Sequence, residues 1–310
     1  MKHNNKEEIE VKKVICPNCN SKNIVKRGKR KTENRGLMQR YGCQDCNKRF
    51  VIDEGFFRMR NHPKKITCAI DLFYRGVSTR KVQEHFKAFY PHNSSNMSIY
   101  RWVVKYSKMI SNFTDGLKIQ SGQEIQVDEM EYHRREEHKK KGVHKDWFID
   151  SIDVKTRYLV SAKYFKSRGQ DEIKEILNKV KYKTEGYVTT ITTDGWQVYE
   201  GIIKKTWKWD NNKRAYGVFH NKNIASQGDG FNIYIERLHN SIRERTVTFR
   251  GFHGSVDSAD SIMKGYAIFY NFIRKHQTLG CCPYELACPT LKLNEDNKWI
   301  SLIGLSRQNL

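Results

Sequence analysis

Two Cys-x-x-Cys motifs near the amino terminus constrain the fold more than any other feature. Cys16 and Cys19 form the first motif, CPNC, and Cys43 and Cys46 form the second, CQDC, after 23 intervening residues. Two such turns bring four thiolates to one tetrahedral Zn²⁺, at Zn–S distances of about 2.3 Å. Disulfides or a redox pair are the alternative, but a reducing compartment and the lack of a thioredoxin-like βαβ pattern favour zinc. We therefore predict a zinc ribbon over residues 1–60, built on a hairpin with arms at 23–27 and 37–42.

The tip of that predicted hairpin is strongly basic, with Glu33 as its only acid. Its cations are Lys26, Arg27, Lys29, Arg30, Lys31, Arg35 and Arg40. Runs of charge are usually solvated, and the ribbon could be a structural clamp. Seven cations on a rigid hairpin nevertheless favour contact with phosphates. We expect Lys29, Arg30 and Lys31 to bind DNA.

The charge of the whole chain points to the same partner. Lys and Arg number 57 against 34 Asp and Glu, a net charge of +23 with a pI near 9.6. Such a surplus repels itself unless a polyanion binds, so nucleic acid is the expected partner, with a merely basic protein as the alternative. The mean hydropathy of −0.77, and the lack of an apolar run near the roughly 20 residues that span a bilayer, predict no membrane segment. The amino terminus lacks a secretory signal, so we expect a cytoplasmic, nucleoid-associated protein.

Residues 61–120 have the periodicity of three short helices. The first ends near Gly76, Ser78 caps the second, and Ser98 begins the third. The predicted inner faces are Ile66, Ile70 and Phe73, then Val82, Phe86 and Phe89, then Ile99, Trp102, Val103 and Tyr106. Helix, glycine turn and capped helix predict a helix-turn-helix domain whose Arg101 and Lys105 contact DNA. A plain three-helix spacer is the alternative.

Three acidic residues follow patterns that place them at the ends or faces of regular elements. The segment VTTITTDGWQVY at 188–199 predicts a buried strand that delivers Asp194 at its carboxyl end. Asp128 ends the alternation Ile125-Gln126-Val127, and Glu236 lies in a predicted helix, NIYIERLHNSIRER. Single acids in such places are often turn residues or solvated. The three acids lie, in chain order, on a predicted strand, a second strand and a helix, and this order distinguishes them from other acids of the chain.

The motifs QVDEM, TTDGWQVY, IERLHNSIRERT and FYNFIRKHQTLGCCPYELA span about residues 123–290. Together with the order three strands, helix, strand, helix, they resemble the DDE transposases of prokaryotic insertion sequences and, more loosely, the retroviral-type integrases. The resemblance implies an α/β ribonuclease H-like catalytic domain over residues 121–290. Its mixed five-stranded sheet would have flanking helices, with the zinc ribbon and helix-turn-helix before it and a tail at 291–310.

The resemblance also implies the chemistry. Asp128, Asp194 and Glu236 would hold two Mg²⁺ ions, replaceable by Mn²⁺, for 3′-end cleavage and strand transfer by direct transesterification. The partners would be double-stranded DNA, namely the terminal inverted repeats of the element and its target, bound by a homodimer or higher oligomer. Two alternatives stay open. One is a domesticated, non-catalytic DNA-binding regulator, and the other is a hydrolytic nuclease of the same fold.

The helix that carries Glu236 has a polar stripe at i, i+3, i+4 and i+7. It consists of Glu236, His239, Asn240 and Arg243. We expect Arg243 to hold a DNA phosphate, and Asn240 and His239 to face DNA, although His239 could orient Glu236 or simply be exposed. Trp196 either stacks on a flipped base or belongs to the core.

Other acids compete for the same role. Glu129 points to the opposite side of its strand from Asp128. Asp150 and Asp153 lie in a predicted hairpin where the family places no ligand, and Asp229 lies in a glycine-rich loop. The gap of 41 residues from Asp194 to Glu236 is longer than in many relatives. Its polar surplus is consistent with a lid or DNA-contact loop.

Overall fold

The computed structural model describes residues 14–32, 36–90, 94–132, 145–211, 214–224, 232–246, 252 and 255–308. The chain divides into two compact units, residues 1–65 and 66–310. Arg35 of the basic tip and Asp229 of the glycine-rich loop lie outside the described residues. Within the described part of the chain, no helix is both long enough and apolar enough to cross a membrane.

The first unit is built on a three-stranded antiparallel sheet in the order β1-β2-β3. The strands are β1 (Ile24–Thr32), β2 (Gly36–Cys43) and β3 (Arg49–Phe50). The predicted hairpin is confirmed, with arms longer than the sequence suggested. The register shifts between Lys26 and Lys29, where Gly28 has a positive φ of 74°. The bulge needs glycine there, because side chains disfavour that backbone region.

The second unit contains a mixed five-stranded sheet in the order β10-β7-β4-β5-β6. Its strands are β4 (Glu124–Tyr132), β5 (Asp146–Asp153), β6 (Leu159–Phe165), β7 (Thr190–Thr193) and β10 (Phe219–Lys222). β4 and β7 run parallel, as do β7 and β10, whereas β4, β5 and β6 form an antiparallel meander. A separate short ribbon pairs β8 (Trp209–Asp210) with β9 (Ala215–Tyr216). The predicted mixed sheet is therefore present.

The helices pack either directly on this sheet or on other helices. They are α1 (Pro63–Tyr74), α2 (Thr79–Phe89), α3 (Asn96–Asp115), α4 (Gln170–Thr184), α5 (Val198–Thr206), α6 (Ile233–Thr246), α7 (Val256–Ile268), a π-helical turn (Phe269–Ile273), α8 (Pro283–Ala287) and α9 (Lys298–Gln308). Tyr199 of α5 contacts Glu129, and His239 of α6 contacts Asp128. Neighbouring residues of a strand point to opposite faces, so α5 and α6 cover opposite sides of β4.

The three helices before the sheet follow the predicted pattern with two corrections. Ser78 caps α2, as its hydroxyl accepts from the Lys81 N–H. The third helix begins earlier than predicted, because Ser95 rather than Ser98 is its cap. Phe89 is not part of the buried face. It is the last residue of α2, it is 69% exposed, and its ring lies beside His85.

A close approach joins α1, α3 and α7. The hydroxyl of Tyr74 lies 2.8 Å from that of Ser107 and donates to the Ile262 carbonyl at 3.2 Å. A Cβ at Gly265 would come within 1.9 Å of the Tyr74 hydroxyl, so only glycine lets the helices meet here. Residues 291–310, left as a tail by the sequence, contain α9, whose Trp299 stacks on Tyr74 with ring centroids 5.8 Å apart.

Candidate metal centres: a cysteine cluster and a carboxylate cluster

Cys16, Cys19, Cys43 and Cys46 form a compact thiol cluster in the first unit. All four sulfurs lie within 4.8 Å of one another, with 3.6 Å between Cys16 and Cys46 and 3.5 Å between Cys19 and Cys43. Tetrahedral Zn–S bonds of about 2.3 Å correspond to sulfur–sulfur distances of ~3.8 Å. All four cysteines are free. The cluster could therefore hold a metal such as zinc.

The two motifs build this cluster with the same local turn. Asn20 and Asn47 each follow the second cysteine of a motif and have φ values of 56° and 57°. Asparagine tolerates this left-handed conformation better than most residues. The repeated sequence CxxCN thus encodes a pair of matched turns that aim the sulfurs inward.

Hydrogen bonds hold the cysteine turns in place. The carboxylate of Asp45 accepts from the Ser21 hydroxyl and from the Asn23 side-chain amide, the latter at 3.0 Å. The pKa of the Cys46 thiol is lowered to about 6, first because the Lys48 backbone N–H donates to its sulfur. A thiol with a low pKa supplies the thiolate that zinc requires.

In the second unit, the sheet brings Asp128 and Asp194 side by side. β4 and β7 are parallel neighbours, and Gln126 of β4 is paired with Thr192 of β7. Two residues further along each chain lie Asp128 and Asp194. Asp128 lies within β4, whereas Asp194 directly follows the last residue of β7. The two carboxylates are close enough for the charge of Asp194 to add to the increase that burial causes in the pKa of Asp128. The topology explains why 65 intervening residues separate them in sequence but not in space.

Asp150 completes a buried acidic cluster with these residues. It is paired with Asp128 across the antiparallel ladder of β4 and β5, so its side chain projects from the same face. Its side chain is 0% exposed. One carboxylate oxygen lies 2.8 Å from His239 Nε2, and the other has no hydrogen-bond partner among the described residues.

His239 bridges two of these carboxylates from α6. Its Nε2 faces Asp150, and its Nδ1 lies 3.5 Å from Asp128 Oδ2. Burial lowers the pKa of His239, but the charges of Asp150 and Asp128 outweigh burial, and the net pKa is raised. Its side chain is 3% exposed, so the prediction of an exposed or DNA-facing His239 is wrong. The charges of the two acids favour the protonated imidazole, and that form would offset the cost of burying them.

The acids interact electrostatically with one another. Burial raises the pKa of Asp128 to about 6, opposed by His239, and the nearby charges of Asp150 and Asp194 add to the increase. Burial likewise raises the pKa of Glu129 to about 7, despite its hydrogen bond from Tyr199, with Asp128 and Asp194 adding to the effect. Unlike charges would relieve this repulsion.

Glu236 lies near this cluster but does not join it. Gln126 Oε1 accepts from the backbone N–H groups of Tyr234 and Ile235, at 3.1 Å each, and so fixes the start of α6 against β4. Glu236 follows in the first turn and is exposed. It precedes His239 by three residues, a spacing that makes two residues neighbours on a helix. Among the described residues, only the cysteines form a group of three or more ligands within 4.8 Å, so Asp128, Asp194 and Glu236 do not lie together at ligand distance in this structure.

The other predicted DNA contacts are exposed, apart from His239. Asn240 and Arg243 of α6 lie on its solvent side, as do Arg101 and Lys105 of α3. On β1, Lys29, Arg30 and Lys31 are all exposed. Trp196 is half-buried, and its backbone N–H donates to Asp194 Oδ1 at 3.0 Å.

Sequence reasoning missed Asp150 and Arg168. Asp150 was not predicted because the resembled family places no ligand in that hairpin, and its cross-strand pairing with Asp128 is a matter of register that the sequence alone did not reveal. Arg168 pairs with Glu129 at 2.8 Å, although 38 residues separate them. By contrast, Asp153 has a structural role, as its carboxylate accepts from the backbone N–H groups of Gly122 and Thr156 at 2.8 Å each.

No protein-family model matches the chain, and a search of curated proteins finds no match. Function is therefore argued from the geometry of the two clusters and from the motifs.

Proposed function

We propose that the chain is a DDE-type DNA transposase of an insertion sequence with a ribonuclease H-like catalytic domain. The observation that carries the proposal is the proximity of Asp128, on β4, to Asp194, which directly follows the parallel neighbour β7. Glu236 lies on α6, one helical turn before His239, and His239 contacts Asp128. The order three strands, helix, strand, helix, and the mixed five-stranded sheet, are compatible with this class of fold.

The donor set suits a hard divalent cation. Carboxylate oxygens are the ligands that Mg²⁺ prefers. Burial and, to a lesser extent, the neighbouring acids raise the pKa of Asp128, and a bound positive charge would oppose both effects. Asp128 and Asp194 would hold the metal, and Glu236 would reach it from α6. Bound Mg²⁺ neutralises the scissile phosphate and lowers the pKa of the attacking hydroxyl or water.

The chain's own residues would position the reactants. His239 holds Asp128 through Nδ1 and is itself held by Asp150, which restricts the Asp128 side chain. Exposed Arg243 lies four residues beyond His239, one turn along α6, where its planar fork would bind a DNA phosphate. In the first step, water attacks the phosphorus and a 3′-hydroxyl leaves. In the second, that hydroxyl attacks a target phosphodiester and displaces a new 3′-oxygen, with no covalent protein–DNA intermediate.

Exposed cations elsewhere would deliver the DNA. The tip residues Lys29, Arg30 and Lys31 would hold phosphates, and Arg101 and Lys105 of α3 would contact the terminal repeats as part of a helix-turn-helix. Joining two ends of an element requires both to be held at once, so we expect a dimer or higher oligomer on DNA.

The test is cleavage and joining of DNA that carries the ends of the element, with Mg²⁺ or Mn²⁺. Asp128→Asn, Asp194→Asn and Glu236→Gln should each reduce cleavage at least ~100-fold, since even residues behind a metal ligand are worth ~10–100-fold. Glu131→Gln is the matched control, because Glu131 is on the same strand but pairs with exposed Lys145. Cleavage that survives all three substitutions would remove this site assignment.

The exposed position of Glu236 favours one alternative, a domesticated regulator that binds DNA without cutting it. Such a protein would bind the terminal repeats but cleave under no metal. A hydrolytic nuclease of the same fold would cut DNA and never yield joined strands, so the joined product distinguishes it from a transposase.

A further inference from the structure

Arg168 lies between two tryptophan rings near the carboxylate cluster, on the face of the sheet that carries Glu129 rather than Asp128. Its Cζ is 4.5 Å from the ring centroid of Trp147, on β5, and 4.2 Å from that of Trp196. Both distances are well within the range of cation–π attraction. Stacking on two indoles restricts the plane of the guanidinium before any ligand binds.

A buried carboxylate fixes Arg168 from a third direction. Arg168 Nη1 lies 2.8 Å from Glu129 Oε1, and the Tyr199 hydroxyl donates to Glu129 Oε2. The Glu129 side chain is only 2% exposed. Trp196 in turn meets the Tyr199 ring edge-on, with centroids 5.7 Å apart. The guanidinium is thus held in both plane and direction.

The arrangement leaves donors available. A guanidinium has five N–H groups, and the bond to Glu129 is the one that Arg168 makes with the described residues. Its side chain is 32% exposed, so the remaining donors reach solvent. An arginine whose role was only to neutralise Glu129 would not need two indole faces to orient the rest of its fork.

Both supports of Arg168 are joined directly to the predicted metal ligands. Glu129 is the residue after Asp128, and Trp196 is two residues after Asp194, whose carboxylate accepts from the Trp196 N–H. Asp128 and Asp150 contact the buried imidazole of His239, and the charge of Asp194 acts on Asp128, so the acids of the cluster repel an incoming phosphodiester. A preorganised cation near the cluster offsets that repulsion.

We infer that Arg168 binds a backbone phosphate of the DNA strand beside the carboxylate cluster. Trp147 and Trp196 hold the guanidinium, and Glu129 sets its direction. The planar fork suits two phosphate oxygens at once, which a lysine in its place would not. This inference rests on the proposed function, since it assumes that DNA is the ligand of the cluster.

The test is equilibrium binding of a mixed-sequence DNA duplex by the full chain over a salt series, without divalent metal. Arg168→Gln should weaken binding by roughly 3- to 10-fold and lower the slope of log affinity against log salt by about 1, the value for one lost phosphate contact. Arg168→Lys keeps the charge but loses the fork, so its affinity should fall in between. The control is Lys163→Gln, which removes a similarly exposed cation that pairs with Glu175.

Substituting Arg168 alone leaves the buried Glu129 carboxylate without its ion pair, which could destabilise the fold. A second variant therefore keeps the test valid if the first misfolds. Glu129→Gln combined with Arg168→Gln removes the buried pair together, and it should show the same loss of DNA affinity at an unchanged melting temperature. With Mg²⁺ present, the loss should raise KM for DNA more than it lowers kcat.

The outcomes separate the two proposals. If the wild type binds and cleaves DNA while Arg168→Gln behaves like Lys163→Gln, the inference is overturned and the transposase proposal stands. An equal loss of DNA affinity in Arg168→Gln and Lys163→Gln would also overturn it, since the loss would then follow from the total charge of the protein and not from this site. If the wild type neither binds nor cleaves DNA, the proposed function fails and the inference fails with it.

Discussion

The cysteine cluster and the carboxylate cluster are assembled in opposite ways. In the first, four ligands from two repeated CxxCN turns converge to within 4.8 Å. In the second, Asp128 and Asp150 come from two paired strands and Asp194 from the residue after a third, and the fourth acid, Glu236, remains exposed on a helix. One set of ligands is gathered by local turns and the other by the register of a sheet.

This difference has an energetic side. The thiol cluster lies in a small unit, residues 1–65, so we expect the fold of that unit to depend on a bound metal. The carboxylate cluster lies in a sheet with its own core and buries its acids around one histidine. A metal bound by the cysteine cluster would stabilise the fold of its unit. The carboxylate cluster instead relies on the stability of the sheet that surrounds it. Four predictions test this contrast.

The largest effect should come from the cysteine cluster. Cys43→Ser, or a strong chelator, should remove one zinc per chain and unfold the β1–β2 hairpin, since structural zinc contributes on the order of 10 kcal/mol in small zinc domains. Metal analysis and hydrogen exchange at the β1 and β2 amides measure this. Cys281→Ser, outside the cluster, should retain the metal, and zinc retained by Cys43→Ser would contradict the assignment.

Next should come the histidine that holds the acids. His239→Ala leaves Asp150 buried with neither oxygen paired, and we expect unfolding to cost about 3 kcal/mol less, the usual loss when one partner of a buried pair is removed. Urea denaturation measures it. Arg237→Ala, exposed on the same helix, should change stability by no more than about 0.5 kcal/mol. Equal losses would show that His239 is no more important than a surface residue.

A smaller effect should appear in the pH dependence of stability. The pKa of Asp128 is raised from 3.8 to about 6 in the folded chain, so the folded state binds more protons than the unfolded state between those values. Stability from this group is therefore fully present below its unfolded pKa and is lost as the pH rises through about 6. Melting temperatures of wild type and Asp128→Asn should diverge over this window. Parallel curves would rule out the raised pKa.

The smallest effect on stability should come from the hairpin tip. Lys29→Gln with Lys31→Gln should change the free energy of unfolding by less than about 0.5 kcal/mol, because both side chains are exposed. The same pair should reduce the salt slope of DNA binding by about 2. The double arginine variant keeps both charges and should keep the slope. An unchanged slope in the glutamine variant would place the phosphate contacts elsewhere.

Local patterns predicted much of this molecule. The hairpin between the CxxC motifs, the cap at Ser78 and the buried face of α3 all depend on neighbours within one or two turns of the chain, and the structure confirms them. The predictions failed where tertiary contacts, rather than spacing along the helix, determine whether a side chain is buried. Phe89 had the right spacing but lies at the end of its helix, and His239 had the right stripe but is drawn inward by two carboxylates.

By itself, the sequence determined the thiol cluster, because ligand spacing and left-handed asparagines act over a few residues. It also placed Asp194 directly after a strand, whereas Asp128, predicted at a strand end, lies in the middle of β4. Only the tertiary structure decided that Asp150 lies opposite Asp128, that His239 joins them, and that Arg168 stands between two indoles beside them. Those contacts depend on strand register and on helices packed from distant parts of the chain, and a one-residue change in register would turn each side chain to the other face.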